Sequence, residues 1–167
     1  MASLTANNPR LWKGTMETAK VLIKNGETWK AGQFLHVDTS GLLAACGDNH
    51  KAAAGGGGSL YYALTDQADP GNSTTLAKVG IITNDQVWLG NELDTTATAA
   101  SIGQEVALEV DSNINTFDIS DGATNPFGRV VGVLSNEIEP IQNDAADTKA
   151  RILVKVYASV YESAPQA

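Results

Sequence analysis

The hydrophobic positions of this chain recur at every second residue, in short runs. QEVALEV, Gln104 to Val110, places Val106, Leu108 and Val110 on one face, the spacing of a half-buried strand. The longest such pattern is RILVKVYASVY, Arg151 to Tyr161. It sets Ile152, Val154, Val156, Ala158 and Val160 on one side and Leu153, Tyr157 and Tyr161 on the other. Shorter β-rich runs occupy Thr18 to Lys24, Gln33 to Val37, Leu42 to Cys46, Leu60 to Leu64, Ala77 to Thr83, Gln86 to Leu89, Phe117 to Ile119 and Arg129 to Leu134. Turn chemistry separates them, as at Asn25-Gly26, Asp38-Thr39-Ser40-Gly41 and Asn84-Asp85. These residues supply local hydrogen bonds or the positive φ that tight turns need.

The glycine inside RVVGVL predicts a bulge or a close backbone approach. Glu92 to Ser101 is small and polar, a loop or one short helical turn. No segment carries a helical stripe of ordinary length. The predicted fold is therefore mostly β, a compact β-barrel or β-sandwich with long loops. One echo runs through the chain. Gly32-Gln33 leads through a strand to Val37-Asp38-Thr39, and Gly103-Gln104 leads through a strand to Val110-Asp111-Ser112. The second strand is two residues longer, which preserves side-chain parity. Two copies of one hairpin device do not predict a repeat protein.

Met1 to Leu11 is polar and broken at Asn7-Asn8-Pro9. It reads as an extended N-terminal arm or, in the free protein, an unstructured terminus. The organisation expected is an arm over residues 1–12 and a single β domain over 13–167. AAAGGGGS, inside the loop from Gly47 to Ser59, costs much backbone entropy to order. A phosphate-cradling loop would want a Lys before the Ser/Thr and a helix after it; here Ser59 leads into an apolar strand.

The charge of −8, from 11 Lys+Arg against 19 Asp+Glu, argues against DNA or RNA as a direct partner, since such affinity rests on basic side chains. One cysteine, Cys46, forms no intrachain disulfide. No apolar run reaches the length of a membrane span and no secretory signal is visible, so no membrane partner and synthesis in the cytoplasm are expected.

Candidate chemistry is sparse. His36-x-Asp38 and Cys46-x-Asp48-x-His50 offer zinc-capable ligands. Pairing of the strands at 33–37 and 42–46 would set Cys46 near the Gln33–Phe34 end, away from His36 nearer the turn, so a closed metal site is poorly supported. A Cys46–His50 nucleophile pair lacks the helix or tight turn it needs. Glu105/Glu109 and Glu137/Glu139 are read as solvated faces or turn flanks rather than paired catalytic acids. Trp29 and Trp88 are expected in the core, and Trp12, between arm and domain, as a side chain for a partner to bury. No catalytic residue, cofactor or metal is expected.

NGETWKAGQFLHVDTSGLLAAC, KVGIITNDQVWL, IGQEVALEVDSNINTF and GRVVGVL, in that order and spacing, resemble the capsid decoration (cement) proteins of tailed bacteriophages. The likeness spans about Gly26 to Tyr161 and rests on turn grammar: a G-Q strand entry, V-D-T/S turns, and a late G-x-V-x-G-V strand at Gly128 to Val133. The resemblance implies a non-enzymatic structural protein of the virion. Such a protein binds the outer surface of the expanded head, as a homotrimer, and bridges subunits of the major capsid protein. It also implies that the arm makes the shell contact by adding a strand. The contact candidates are Leu4, Asn7, Asn8, Pro9, Arg10, Leu11 and Trp12. The alternative is a carbohydrate- or receptor-binding β module of a fibre or tail, which would need exposed aromatics clustered on one rigid face.

Overall fold

A computed structural model of the chain describes residues 7–50, 59–92, 97, 99–133 and 151–157. Its strands are β1 (Arg10–Lys13), β2 (Thr18–Leu22), β3 (Phe34–Val37), β4 (Leu43–Ala45), β5 (Leu60–Ala63), β6 (Leu76–Ile81), β7 (Val87–Asn91), β8 (Glu105–Asp111), β9 (Ile114–Asp118), β10 (Gly128–Val133) and β11 (Arg151–Val156). One 3-10 turn, Ala99–Ser101, precedes β8. A five-stranded sheet has the order β2-β6-β5-β3-β4, and a six-stranded sheet has the order β1-β7-β11-β10-β8-β9. Neighbouring strands pair antiparallel. The fold is thus mostly β and sandwich-like. The barrel alternative does not hold, because the edges of each sheet meet at only one bridge and form no continuous ladder.

With β1 set aside, the two sheets share one topology: β2 to β6 in the first correspond in order to β7 to β11 in the second. The correspondence extends to details. Each sheet curls until its edges touch at a single parallel bridge, Ile23 with Leu43 and Glu92 with Phe117, both just past the end of the first strand. Gly32 and Gly103 each take φ of +94°, a turn position open to glycine at little cost. The Gly32 N–H donates to the Ala63 carbonyl, and the Ala63 N–H returns to Gln33. Gly103 and Gln104 make the same pair of bonds with Val130. Glutamates cap equivalent edge amides: Ala45 N–H donates to Glu27 and Ile119 N–H to Glu92. The sequence echo is therefore the visible part of a structural duplication covering both sheets.

Side chains, not backbone, make the halves differ. Phe34 pairs with Tyr62 across β3 and β5. Glu105 pairs with Arg129 across β8 and β10, at the equivalent places. The charged pair, Arg129 exposed and Glu105 half-buried, forms an ion pair at 3.8 Å. The aromatic pair is turned toward the second sheet. Phe34 is fully buried and meets Trp88, Phe117 and Phe127 at centroid distances of 5.4, 6.1 and 5.3 Å. This ridge joins Val106, Leu108, Val130, Ile152, Val154 and Val156 in the larger core. A smaller core fills the curl of the first sheet: Ile23, Trp29, Leu35, Leu43, Ala63 and Val79.

Local expectations translate directly. The register of β10 against β11 shifts between Val130 and Gly132, where the central glycine predicted a bulge. Asp38 closes its turn by accepting N–H groups from Ser40 and Leu42. β9 begins at Ile114, earlier than the run from Phe117. Ser112 and Asn113 both take positive φ, so a two-residue hairpin of the primed type feeds directly into the strand. Ala158 to Tyr161, Leu134 and the loop at Gly55 to Gly58 lie outside the described residues.

Phe34→Ala is expected to cost about 3–5 kcal/mol, read as a lower urea midpoint at unchanged m-value. Glu105→Ala, at the equivalent half-buried place, should change stability by less than about 1 kcal/mol. Equal losses would contradict the asymmetry between the two faces.

Candidate functional site

The segment singled out as an arm is, from Asn7 onward, built into the seam between the sheets; Leu4 lies outside the described residues. The Asn7 N–H donates to Asn91 Oδ1 at 3.0 Å. The Asn8 side chain accepts from the Asn115 N–H at 2.7 Å and donates to the carbonyls of Ala31 and Asn113. It thus ties β9 to the turn that enters β3. Asn115 accepts the Phe34 N–H at 2.7 Å, so a chain of amides runs from the N-terminal segment to the central aromatic. Gly32 has no room for a side chain here: a Cβ would lie 2.7 Å from Asn8 Cβ. Pro9 is buried, and its carbonyl accepts the Tyr62 hydroxyl at 2.6 Å. Burial raises the pKa of that phenol.

Arg10 pairs with Leu89, Leu11 with Trp88 and Lys13 with Val87, with a register shift between Leu11 and Lys13. Leu11 packs on the larger core. Trp12, at the irregularity, is 38% exposed. A pocket of about 150 Å³ opens beside this strand, lined in part by Asn7, Arg10, Leu89, Asn91 and Arg151. Of the seven contact candidates, the structure therefore buries Pro9, engages Asn7 and Asn8 within the chain, packs Leu11 inward, and leaves Arg10 and Trp12 exposed.

The zinc-capable residues are divided. The Cys46 N–H donates to the Phe34 carbonyl, so Cys46 sits opposite Phe34 as the pairing predicted. Its thiol is buried in the larger core, and burial pushes its pKa well up. Hydrogen bonds to the carboxylate, first from Leu42, hold the Asp38 pKa below its ordinary value. Asp48 accepts from the Val110 N–H at 2.5 Å, and the Asn49 N–H donates to Leu108 at 2.7 Å. These bonds fasten the turn after β4 to β8 and carry His50 over His36, with ring centroids 4.5 Å apart. Burial, and then the neighbouring His36, lower the His50 pKa to about 4. Sequence spacing missed this approach of the two imidazoles because the turn is held by the second sheet. Among the described residues, no group of three or more His, Cys, Asp or Glu is placed to hold a metal ion.

Trp29 and Trp88 lie in the smaller and larger cores, so they contribute to no exposed aromatic platform. Glu105 faces Arg129; Glu137 and Glu139 lie outside the described residues. No family model, curated protein or solved structure matches this chain.

The His50 pKa fixes the direction of an acid effect. The unfolded chain takes up the proton near pH 6.5, the folded chain only near pH 4. Stability present above pH 6.5 is therefore lost as pH falls through this window. Urea titrations in a chelating buffer at pH 7.5 and 4.5 should differ by about 2 kcal/mol from this group. His50→Gln should shrink that difference; an undiminished one would rule out His50 as its source.

Proposed function

We propose that this chain is a capsid decoration protein, which binds the outer surface of an expanded phage head as a homotrimer and braces neighbouring subunits of the major capsid protein. The observation that carries this reading is Trp12. It is a large aromatic displayed on an edge strand that is paired to β7 and led in by the Asn7, Asn8 and Pro9 contacts. A large exposed aromatic on backbone that is already fixed suits a binding anchor, because docking need not order the strand that carries it. Arg10 stands on the same strand as a second contact. The order and spacing of the strand and turn motifs support the same reading. Many identical sites on a symmetric shell would turn a modest contact into large total stabilisation.

The reading differs from an arm that orders only on the shell, since β1 is already paired to β7. Removing residues 1–12 would therefore take away the seam that Asn8, Pro9 and Leu11 form, and would confound binding with folding.

The test is co-sedimentation with undecorated, expanded heads of the virus that encodes the chain. The unaltered chain is expected to bind saturably, in fixed ratio to the capsid subunit. Trp12→Ala, folded as judged by its urea midpoint, should bind at least about tenfold more weakly, the loss of a hot-spot side chain. Absence of saturable binding by the intact, folded chain would overturn the proposal.

A further inference from the structure

The duplication makes one vacancy legible. In the second half, β1 lies along the outer edge of β7. Under the correspondence of the two sheets, the same place in the first half is the outer edge of β2, which has no strand beside it over Thr18 to Lys20 among the described residues; β4 meets the chain just past Leu22, at the Ile23–Leu43 bridge. Leu89 and Asn91 are buried, whereas their equivalents Lys20 and Leu22 are exposed. The Ile23 N–H donates to Thr75, and the Ile81 N–H to Glu17. Antiparallel pairing alternates, so the backbone groups of Thr18, Lys20 and Leu22 point away from β6, those of Thr18 and Lys20 to an open edge and those of Leu22 to its end, where β4 meets the chain at the Ile23–Leu43 bridge.

The other edges are managed. Glu27 caps an amide of β4. Asn8 and Glu92 engage amides at β9 and just beyond it. β1 is short and irregular at Trp12. The edge of β2 is regular over five residues. Its outward face is also specific. Lys20 stands opposite Lys78, and Leu22 opposite Leu76. Leu22 is 38% and Leu76 55% exposed. Like charges directly opposite each other disfavour the free sheet, and neither lysine has an ion-pair partner among the described residues. Pairing with β2 of a second copy would gather four such lysines on one face.

We propose that β2 receives an extended strand of a partner protein, added antiparallel beside Thr18–Leu22. This strand presents a carboxylate to Lys20 and Lys78 and an apolar side chain to Leu22 and Leu76. Main-chain bonds supply affinity and the alternate side chains supply selection. β1 shows the device already at work on the equivalent strand.

The probe is the capped peptide acetyl-Leu-Val-Glu-Val-Thr-amide, added to the full ¹⁵N-labelled chain and read by amide hydrogen exchange. At about 1 mM peptide, exchange at Thr18, Lys20 and Leu22 is expected to slow roughly tenfold, with Ala19 and Val21 little changed. Lys20→Glu should abolish that response and create one to the peptide carrying Lys in place of Glu. No protection at these three amides, protection centred elsewhere, or equal response to both peptides would overturn the proposal. No capsid enters this assay, so its outcome is separate from that of the decoration reading.

Discussion

The seating of Phe34 between the two sheets is the contact on which the rest of the molecule depends. Its ring is enclosed by Trp88, Phe117, Phe127 and Tyr62, and burial of aromatic area on this scale dominates core energetics. Its backbone N–H, buried by the same packing, needs a partner, and an unmet buried donor costs about 1–3 kcal/mol. Asn115 meets it, and Asn8 in turn holds the Asn115 backbone. The aromatic contact and the amide chain are thus one unit. Hydrophobic burial brings the sheets together, and the polar links fix their register.

The duplicated topology explains why one scaffold yields two unlike halves. Equivalent backbone places carry Phe34 and Tyr62 in one sheet and Glu105 and Arg129 in the other. Two aromatics drive a face inward, and an ion pair keeps its counterpart in water. The two halves also treat their first strands differently. The N-terminal residues can cover only one edge, and they cover β7. That choice buries Leu89 and Asn91, consumes Asn8 and Pro9 in internal bonds, and leaves Trp12 outward. Which edges and side chains stay open to solvent follows from which edges the chain covers for itself.

Strands, turns and the buried tryptophans were legible in the sequence because each is a local property. Period-two alternation marked β8 and β11, Asp38 and Gly41 marked a hairpin, and the glycine of RVVGVL marked a shift in register. The start of β9 was not legible: the β-rich run in the sequence begins only at Phe117, whereas the strand begins at Ile114. Asn113 forms the turn, while Asn115 is a buried strand residue whose side chain serves the other sheet. The candidate contact residues were named from their position in the chain, and the structure divides them. Arg10 and Trp12 face outward, while Asn7, Asn8 and Pro9 act within the chain.

What the sequence determined by itself was an acidic, mostly β chain with one cysteine and a hairpin device used twice. These follow from composition and from neighbours a few residues apart. What only the tertiary structure decided was the docking of the N-terminal segment, the approach of His50 to His36, and the edge left open at β2. The Asn7–Asn91 and Asn8–Asn115 bonds span 84 and 107 residues. No local pattern encodes such partners, because they are selected by which faces bury together once both sheets exist.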